Sequence, residues 1–271
     1  VSEIQIEQGV GKMSEQKQQI EFAELLKQAV EKPGLMLAAY RAFHTYSVGN
    51  QIAAMFQIML RGLKVGPIAS YRRWQELGRQ VQKGSKAISL CMPVTCKGRE
   101  RENEAGEIEQ DTFTRFVWRN NWFVLCQTEG AELEAAVEAP GFDKAKAFEA
   151  LNIQEIEFEM LDGNCQGYAK GRTVAISPIA ALPHKTLFHE VAHVMLGHTA
   201  ESEVSDSETT PRSLREAEAE SVAMLCCEAL GLEGADYCRG YIQNWLAGDT
   251  IPEKSAQKIF KATDQILKAG Q

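Results

Sequence analysis

The stretch KTLFHEVAHVMLGH, residues 185–198, constrains this chain more than any other segment. Two histidines four apart, with a glutamate directly after the first, share one face only if the segment is helical, because residues a turn apart stack on the same side. His189 and His193 can then offer their imidazoles to a single ion, with Glu190 beside it. An accidental HExxH in a chain with five histidines has a chance of about 1% or less. A divalent ion at such a place polarises a scissile carbonyl and brings the pKa of water towards about 7, while the glutamate takes the proton and delivers it to the leaving amine. The plainer reading is a pair of satisfied structural histidines.

Two imidazoles do not hold zinc alone, so a third protein ligand is required. His198 is one place early for the HExxHxxGxxH spacing. Gly197 is expected to end the helix, leaving His198 beyond it, where an imidazolium suits the negative helix end. The segment PRSLREAEAESVAMLCCEALG supplies the alternative. Ser213 and Glu216 read as a capping box, starting a helix at Leu214 that ends before Gly231. With Leu214 as zero, Val222, Leu225 and Ala229 fall within roughly 80° of it and Glu218 near 40°, whereas Glu216 and Glu220 fall near 200° and 240°. A carboxylate in the middle of an apolar face needs a cation opposite it. Glu218 is therefore the expected third ligand, against the bland reading of a salt-bridged or partly exposed glutamate. Such a His2Glu set leaves a coordination position open, which is catalytic in type; Zn2+ is the expected ion, with Mn2+ as an alternative.

At 271 residues and 30.1 kDa the chain is long enough for two domains. Residues 130–142, rich in Ala, Glu, Gly and Pro, read as the linker between 1–129 and 143–271. The expected class is α+β. The first part comprises helices (14–31, a second near 50–60, and YRRWQEL capped by Ser70) with a small antiparallel sheet. AISLCMPV reads as a strand, RFVWRNNWFVLCQ as two strands joined at Asn120–Asn121, and the charged GRERENEAGEIEQD as a solvated hairpin excursion. The second part carries a helix at 143–151, a strand in EIEFEML, a hairpin turning at Lys170–Gly171, the histidine helix, a polar loop, a helix over 214–230 and C-terminal helices. That hairpin is either a core element or an exposed edge able to pair with an extended peptide. Seven cysteines without a CxxC pair suit reduced, buried thiols in a cytoplasm. Neither a bilayer-long apolar run nor a signal-peptide pattern is evident, so no membrane partner is expected.

The net charge of −8 hides an uneven distribution. Between Arg61 and Arg99 the basic residues are Arg61, Lys64, Arg72, Arg73, Arg79, Lys83, Lys86, Lys97 and Arg99, against one acid, Glu76. Tyr46, Tyr71, Trp74, Trp118, Trp122 and Phe123 interleave with these cations and with Arg115 and Arg119. Cations for phosphates and aromatic faces for bases are what single-stranded nucleic acid binding uses. Trp74, on the apolar side of its helix, is more readily core than platform, and a charge run is commonly a solvated face. Arg72 and Arg73, which point away from that side, are the better phosphate candidates.

Tyr46 and Asn50 in a YxxxN pattern, WQELGRQVQKGSKAI at 74–88, WFVLCQTEG at 122–130, TLFHEVAH and REAEAESVA together resemble the ArdC-type antirestriction proteins of plasmids and other mobile elements. The resemblance spans nearly the whole chain and departs from the usual ELGGxVxKGEKG at Arg79, Ser85 and Ala87. It implies an N-terminal single-stranded-DNA-binding domain joined to a C-terminal zincin-like, gluzincin-type metallopeptidase domain. It further implies protection of DNA entering a new host as a single strand. Glu190 is then the catalytic residue and His189, His193 and Glu218 the metal ligands. Tyr46, Asn50, Arg72, Arg73, Arg79, Lys83 and Lys86 are the DNA-contacting set, and the peptide substrate is a protein not identified by sequence, such as one bound to DNA. Two other readings compete: a non-catalytic single-strand-binding protein with a structural metal, and a regulatory metallopeptidase that cleaves a repressor.

Overall fold

A computed structural model describes residues 20–102, 108–133, 138–159, 165–199, 210–246 and 250–271. Helices and small sheets alternate, an α+β architecture. Three helices open it: α1 (Phe22–Glu31), α2 (Leu35–Phe43) and α3 (Val48–Leu60). Residues 14–19 of the first expected helix lie outside the described residues.

The first sheet has the order β1 (Ile68–Ser70), β4 (Ile108–Val124), β3 (Ile88–Glu102). Between β1 and β3 lie α4 (Tyr71–Glu76) and β2 (Arg79–Val81), which pairs with β5 (Thr128–Gly130). Ser70 Oγ caps α4 by accepting from the Arg73 N–H, as its position before YRRW predicts. Trp74 is buried and its indole N–H donates to the Phe123 carbonyl at 2.9 Å, which makes it core. Asn120–Asn121 is not a turn. The strand runs straight through it, Ile88 facing Trp122 and Ser89 facing Asn120, so that Asn121 is the extra residue of a bulge. A turn there would remove Trp122–Val124 from their pairing with β1.

The second half contains α5 (Lys144–Leu151), the short β6 (Gln154–Glu155), β7 (Gly167–Lys170) and β8 (Thr173–Ile176), then α6 (Pro183–Met195), α7 (Arg212–Leu230), α8 (Ala235–Leu246) and α9 (Glu253–Ala269). In the sheet β6-β8-β7, β8 is central, parallel to β6 and antiparallel to the edge strand β7. Of the strand expected over EIEFEML, the described residues show only its first, paired together with the preceding Gln154, with 156–159 irregular and 160–161 outside the described residues.

One buried apolar cluster runs from Leu25 on α1 through Ile52 on α3 and Phe188 on α6 to Leu267 on α9. At its centre α7 is buried at every residue from Ala217 to Ala229. Within the described residues no helix is long and apolar enough to cross a membrane, and all seven cysteines are free thiols.

Asn50, expected on the DNA face, has a different task. It is buried, and its side-chain amide donates to the Cys91 carbonyl at 2.9 Å and accepts the Cys91 N–H at 2.8 Å. Both ends of the amide thus join α3 to β3. Replacing it with alanine orphans two buried backbone groups, and Asn50→Ala is expected to lower the unfolding free energy by about 2–4 kcal/mol in urea denaturation. An unchanged midpoint would remove this assignment.

Candidate metal centre and cationic surface

Pro183 at the first turn starts α6, and Gly197, at φ 77°, turns the chain out of its end into a conformation that a side chain would resist. His189 and His193, one turn apart, bring their Nε2 atoms to 3.1 Å. Glu216 Oε2 on α7 lies 3.5 Å from the first and 3.7 Å from the second. Among the described residues, this is the group of three metal-ligating side chains whose ligand atoms all lie within 4.8 Å of one another. Ligand atoms of a tetrahedral zinc site stand about 3.3 Å apart, so the spacing fits such an ion.

Glu218, the expected third ligand, is turned to another partner: its Oε2 lies 2.9 Å from His198 Nε2. Amphipathic periodicity selects a glutamate that is not the one facing the two imidazoles, and for a definite cause. It needs a helix with a wet side, and α7 has none over Ala217–Ala229, so apolar neighbours carry no information about which glutamate faces α6. The expected capping box is absent for a related reason. Pro211 takes the N-cap position without a side-chain cap, and the Glu216 carboxylate reaches across to the imidazoles.

The far nitrogens of both rings are also engaged. His193 Nδ1 is 3.0 Å from His198 Nδ1. His189 Nδ1 is 3.2 Å from Glu220 Oε1, a close approach off the line of a good hydrogen bond, and that carboxylate is held by Lys185 Nζ at 2.5 Å. With each Nδ1 directed away, two Nε2 atoms meet at 3.1 Å in front of a carboxylate, an arrangement that demands positive charge. Burial lowers the affinity of His189 for a proton, but contact with Glu216 and Glu220 outweighs it and raises the pKa to about 9. Contact with His189 and then His193 holds Glu216 far below the usual carboxylate range. Glu220 is depressed to about 2, its burial overcome by His189 and Lys185. His198 lies just past the helix end as expected, yet it is not favoured as an imidazolium. Burial pushes it below its ordinary value despite the bond to Glu218.

Glu190 is buried beside the two imidazoles, and burial raises its pKa against the pull of His189 and His193. A cleft of about 210 Å³ opens there, lined by Ala169, Glu190, His193, Arg215 and Glu216 among others. One residue that sequence reasoning missed makes room for the Glu190 side chain. A Cβ on Gly167 of β7 would lie 2.7 Å from Thr186 Cγ2, 3.0 Å from the Ala175 carbonyl and 3.2 Å from Glu190 Cγ. A glycine inside a short strand is the signal that would have pointed to it.

The expected DNA-contacting set divides in two. Arg72, Arg73, Lys83 and Lys86 lie on the surface, the first two also pairing with Glu76 at 3.2 and 3.1 Å. Three others are committed to the fold. Besides Asn50, the Tyr46 hydroxyl donates to the Ile68 carbonyl at 2.9 Å, and the Arg79 guanidinium binds Thr128 through its hydroxyl and carbonyl and reaches the Gly130 and Ala131 carbonyls. Arg79 thereby closes β2 on β5. The sequence reading also missed Phe113 and Phe116, exposed on the β3–β4 ribbon on either side of Arg115.

Residues 7–121 match the family model described as the N-terminal domain of anti-restriction factor ArdC. Among solved structures, the metal-free antirestriction ArdC protein from plasmid R388 is similar over 92% of this chain and 94% of its own, at 21% identity and a TM-score of 0.53. Its Mn(II)-bound structure is similar over 92% of this chain and 97% of its own, at 20% identity and a TM-score of 0.51. No curated protein matches the chain. At these identities the likeness to solved structures speaks for the fold.

The Gly167 contacts yield a stability prediction. Because the Ala175 carbonyl is backbone and cannot swing aside, Gly167→Ala is expected to cost about 1–3 kcal/mol in thermal unfolding. A variant as stable as the parent would show that the strand yields without cost.

Proposed function

We propose that this chain, an ArdC-type protein, is an antirestriction factor that binds single-stranded DNA through residues 1–129 and carries a metal-dependent peptidase site in residues 143–271. The observation that carries the reading is the convergence of His189 Nε2, His193 Nε2 and Glu216 Oε2 beside the buried Glu190. The relative solved with Mn(II) supports a metal in this fold, and a His2Glu set accepts Zn2+ or Mn2+. When bound, the ion supplies Lewis acidity towards a carbonyl and a water molecule.

The chain's own groups do the rest. His189 and His193 keep their Nε2 atoms together because one helix face carries both. Glu190 is placed to accept a proton from water and return it to the departing amine nitrogen, and its raised pKa brings it closer to the pH at which such a base works best. The cleft between Ala169 on the edge strand β7 and Arg215 on α7 is where an extended peptide would lie. Arg72, Arg73, Lys83 and Lys86 present positive charge to phosphates, and this surface brings DNA-bound protein to the cleft. The setting is the cytoplasm of a cell receiving the mobile element.

Calorimetric titration with Zn2+ and with Mn2+ is expected to give one ion per chain for the parent protein and for Glu190→Gln, and none of comparable affinity for His189→Ala. Cleavage of casein or of the chain itself, with and without single-stranded DNA, is expected for the parent and absent for Glu190→Gln. Metal binding without any Glu190-dependent cleavage would leave a binding protein with a structural metal. Arg72→Ala with Arg73→Ala and Lys83→Ala is expected to weaken single-strand binding and flatten its salt dependence by about 0.7 log unit per log unit of salt for each phosphate no longer neutralised. Parent-like binding at all salt concentrations would remove these residues from the DNA face.

A further inference from the structure

Both nitrogens of His198 are in use, which excludes it as a metal ligand and gives it a different part. Its ring and the Glu218 carboxylate are almost fully enclosed, at 5% and 4% side-chain exposure. Glu218 stands on α7 two residues after Glu216, about 200° further round that helix, and its carboxylate ends at His198 Nε2 rather than among the ligand atoms of the candidate centre. The result is a line of three groups, Glu218 Oε2, the His198 ring and His193 Nδ1, joined at 2.9 and 3.0 Å.

The direction of the hydrogen bonds along this line follows from its acidic end. A carboxylate only accepts, so His198 Nε2 carries the proton. The neutral ring then has its lone pair on Nδ1, which accepts from His193 Nδ1–H. His193 in turn has its lone pair on Nε2, the atom 3.1 Å from His189 Nε2 and 3.7 Å from Glu216 Oε2. We propose that His198 and Glu218 are positioning residues that fix the tautomer and ring orientation of His193, so that Nε2 is presented to the metal. This inference rests on the metal-site reading above. A group bonded to the far nitrogen of a ligating imidazole typically alters metal affinity by 10–100-fold when removed. His189, whose Nδ1 faces Glu220 instead, is outside the line and serves as the internal reference.

The test needs no peptide substrate. In the metal-free parent protein at alkaline pH, long-range 1H–15N spectra of the histidine side chains are expected to show His193 as the Nδ1–H tautomer; an Nε2–H tautomer overturns the proposal. His198→Phe combined with Glu218→Met removes the polar line without leaving a buried charge unpaired. This variant is expected to populate both tautomers of His193 and to raise the Kd for Zn2+ and Mn2+ by 10–100-fold. Glutamine at 198 can both donate to Glu218 and accept from His193, so His198→Gln is expected to stay within about threefold of the parent Kd and keep the single tautomer. A double variant with a lower metal-free melting temperature but unchanged tautomer and Kd would reduce the line to a structural pair. A parent protein that binds neither ion would instead sink the metal-site reading itself.

Discussion

A helix that carries glutamates and is buried at every residue from Ala217 to Ala229 must bring partners for its carboxylates, and that requirement organises this molecule around α7. Glu216 meets two imidazoles, Glu218 meets His198, Glu220 meets Lys185 and His189, and Glu228 meets Arg239. An isolated carboxylate in such surroundings would cost several kcal/mol, so each of these contacts is a condition of burying the helix. Every histidine gathered at the candidate centre therefore serves the fold and the site together. A divalent ion would complete at Glu216 what Lys185 and Arg239 accomplish at Glu220 and Glu228 and a hydrogen bond from His198 accomplishes at Glu218.

The legible part of the site was the part set by local geometry. His189, Glu190 and His193 lie on one continuous helix, and a four-residue spacing suffices to align them. Glu216 was not legible because its selection depends on which side of α7 faces α6, and hydrophobic periodicity loses its phase in a helix buried all round. The S-x-x-E pattern misled for the same reason: the capping box is a local preference worth about 1 kcal/mol, and two imidazoles waiting across the cleft offer the carboxylate more. The bulge at Asn121 shows a local turn preference losing to a sheet with partners on both edges of the strand.

The cationic segment follows a related logic. Tyr46, Asn50 and Arg79 lie in the motifs that carry the family resemblance, and all three are spent on internal hydrogen bonds. Tying α3 to β3 through Asn50 is a task that constrains a residue as firmly as touching a ligand, and Arg79, where the chain departs from the family pattern, adds a closure of β2 on β5 of its own. Positive charge left on the surface by Arg72, Arg73, Lys83 and Lys86 is a different kind of signal. Long-range attraction of that kind needs no fixed register, which is how a chain of net charge −8 can still present a locally positive face.

Those two surfaces are tied through the far end of the same acidic helix. Glu228 accepts the Met36 N–H at the start of α2 at 3.2 Å, and its partner Arg239 donates through Nε to the Val30 carbonyl at 2.9 Å at the end of α1. The ion pair thus satisfies backbone groups in the α1–α2 turn, where water would otherwise be required. Through α3 and Asn50 the same helical group reaches β3, and through β3 and β4 it reaches α4 with its arginines. A chain of directional contacts therefore runs from the α7 helix that carries Glu216 to the cationic surface. The cationic surface and the cleft are thus both referred to one helix.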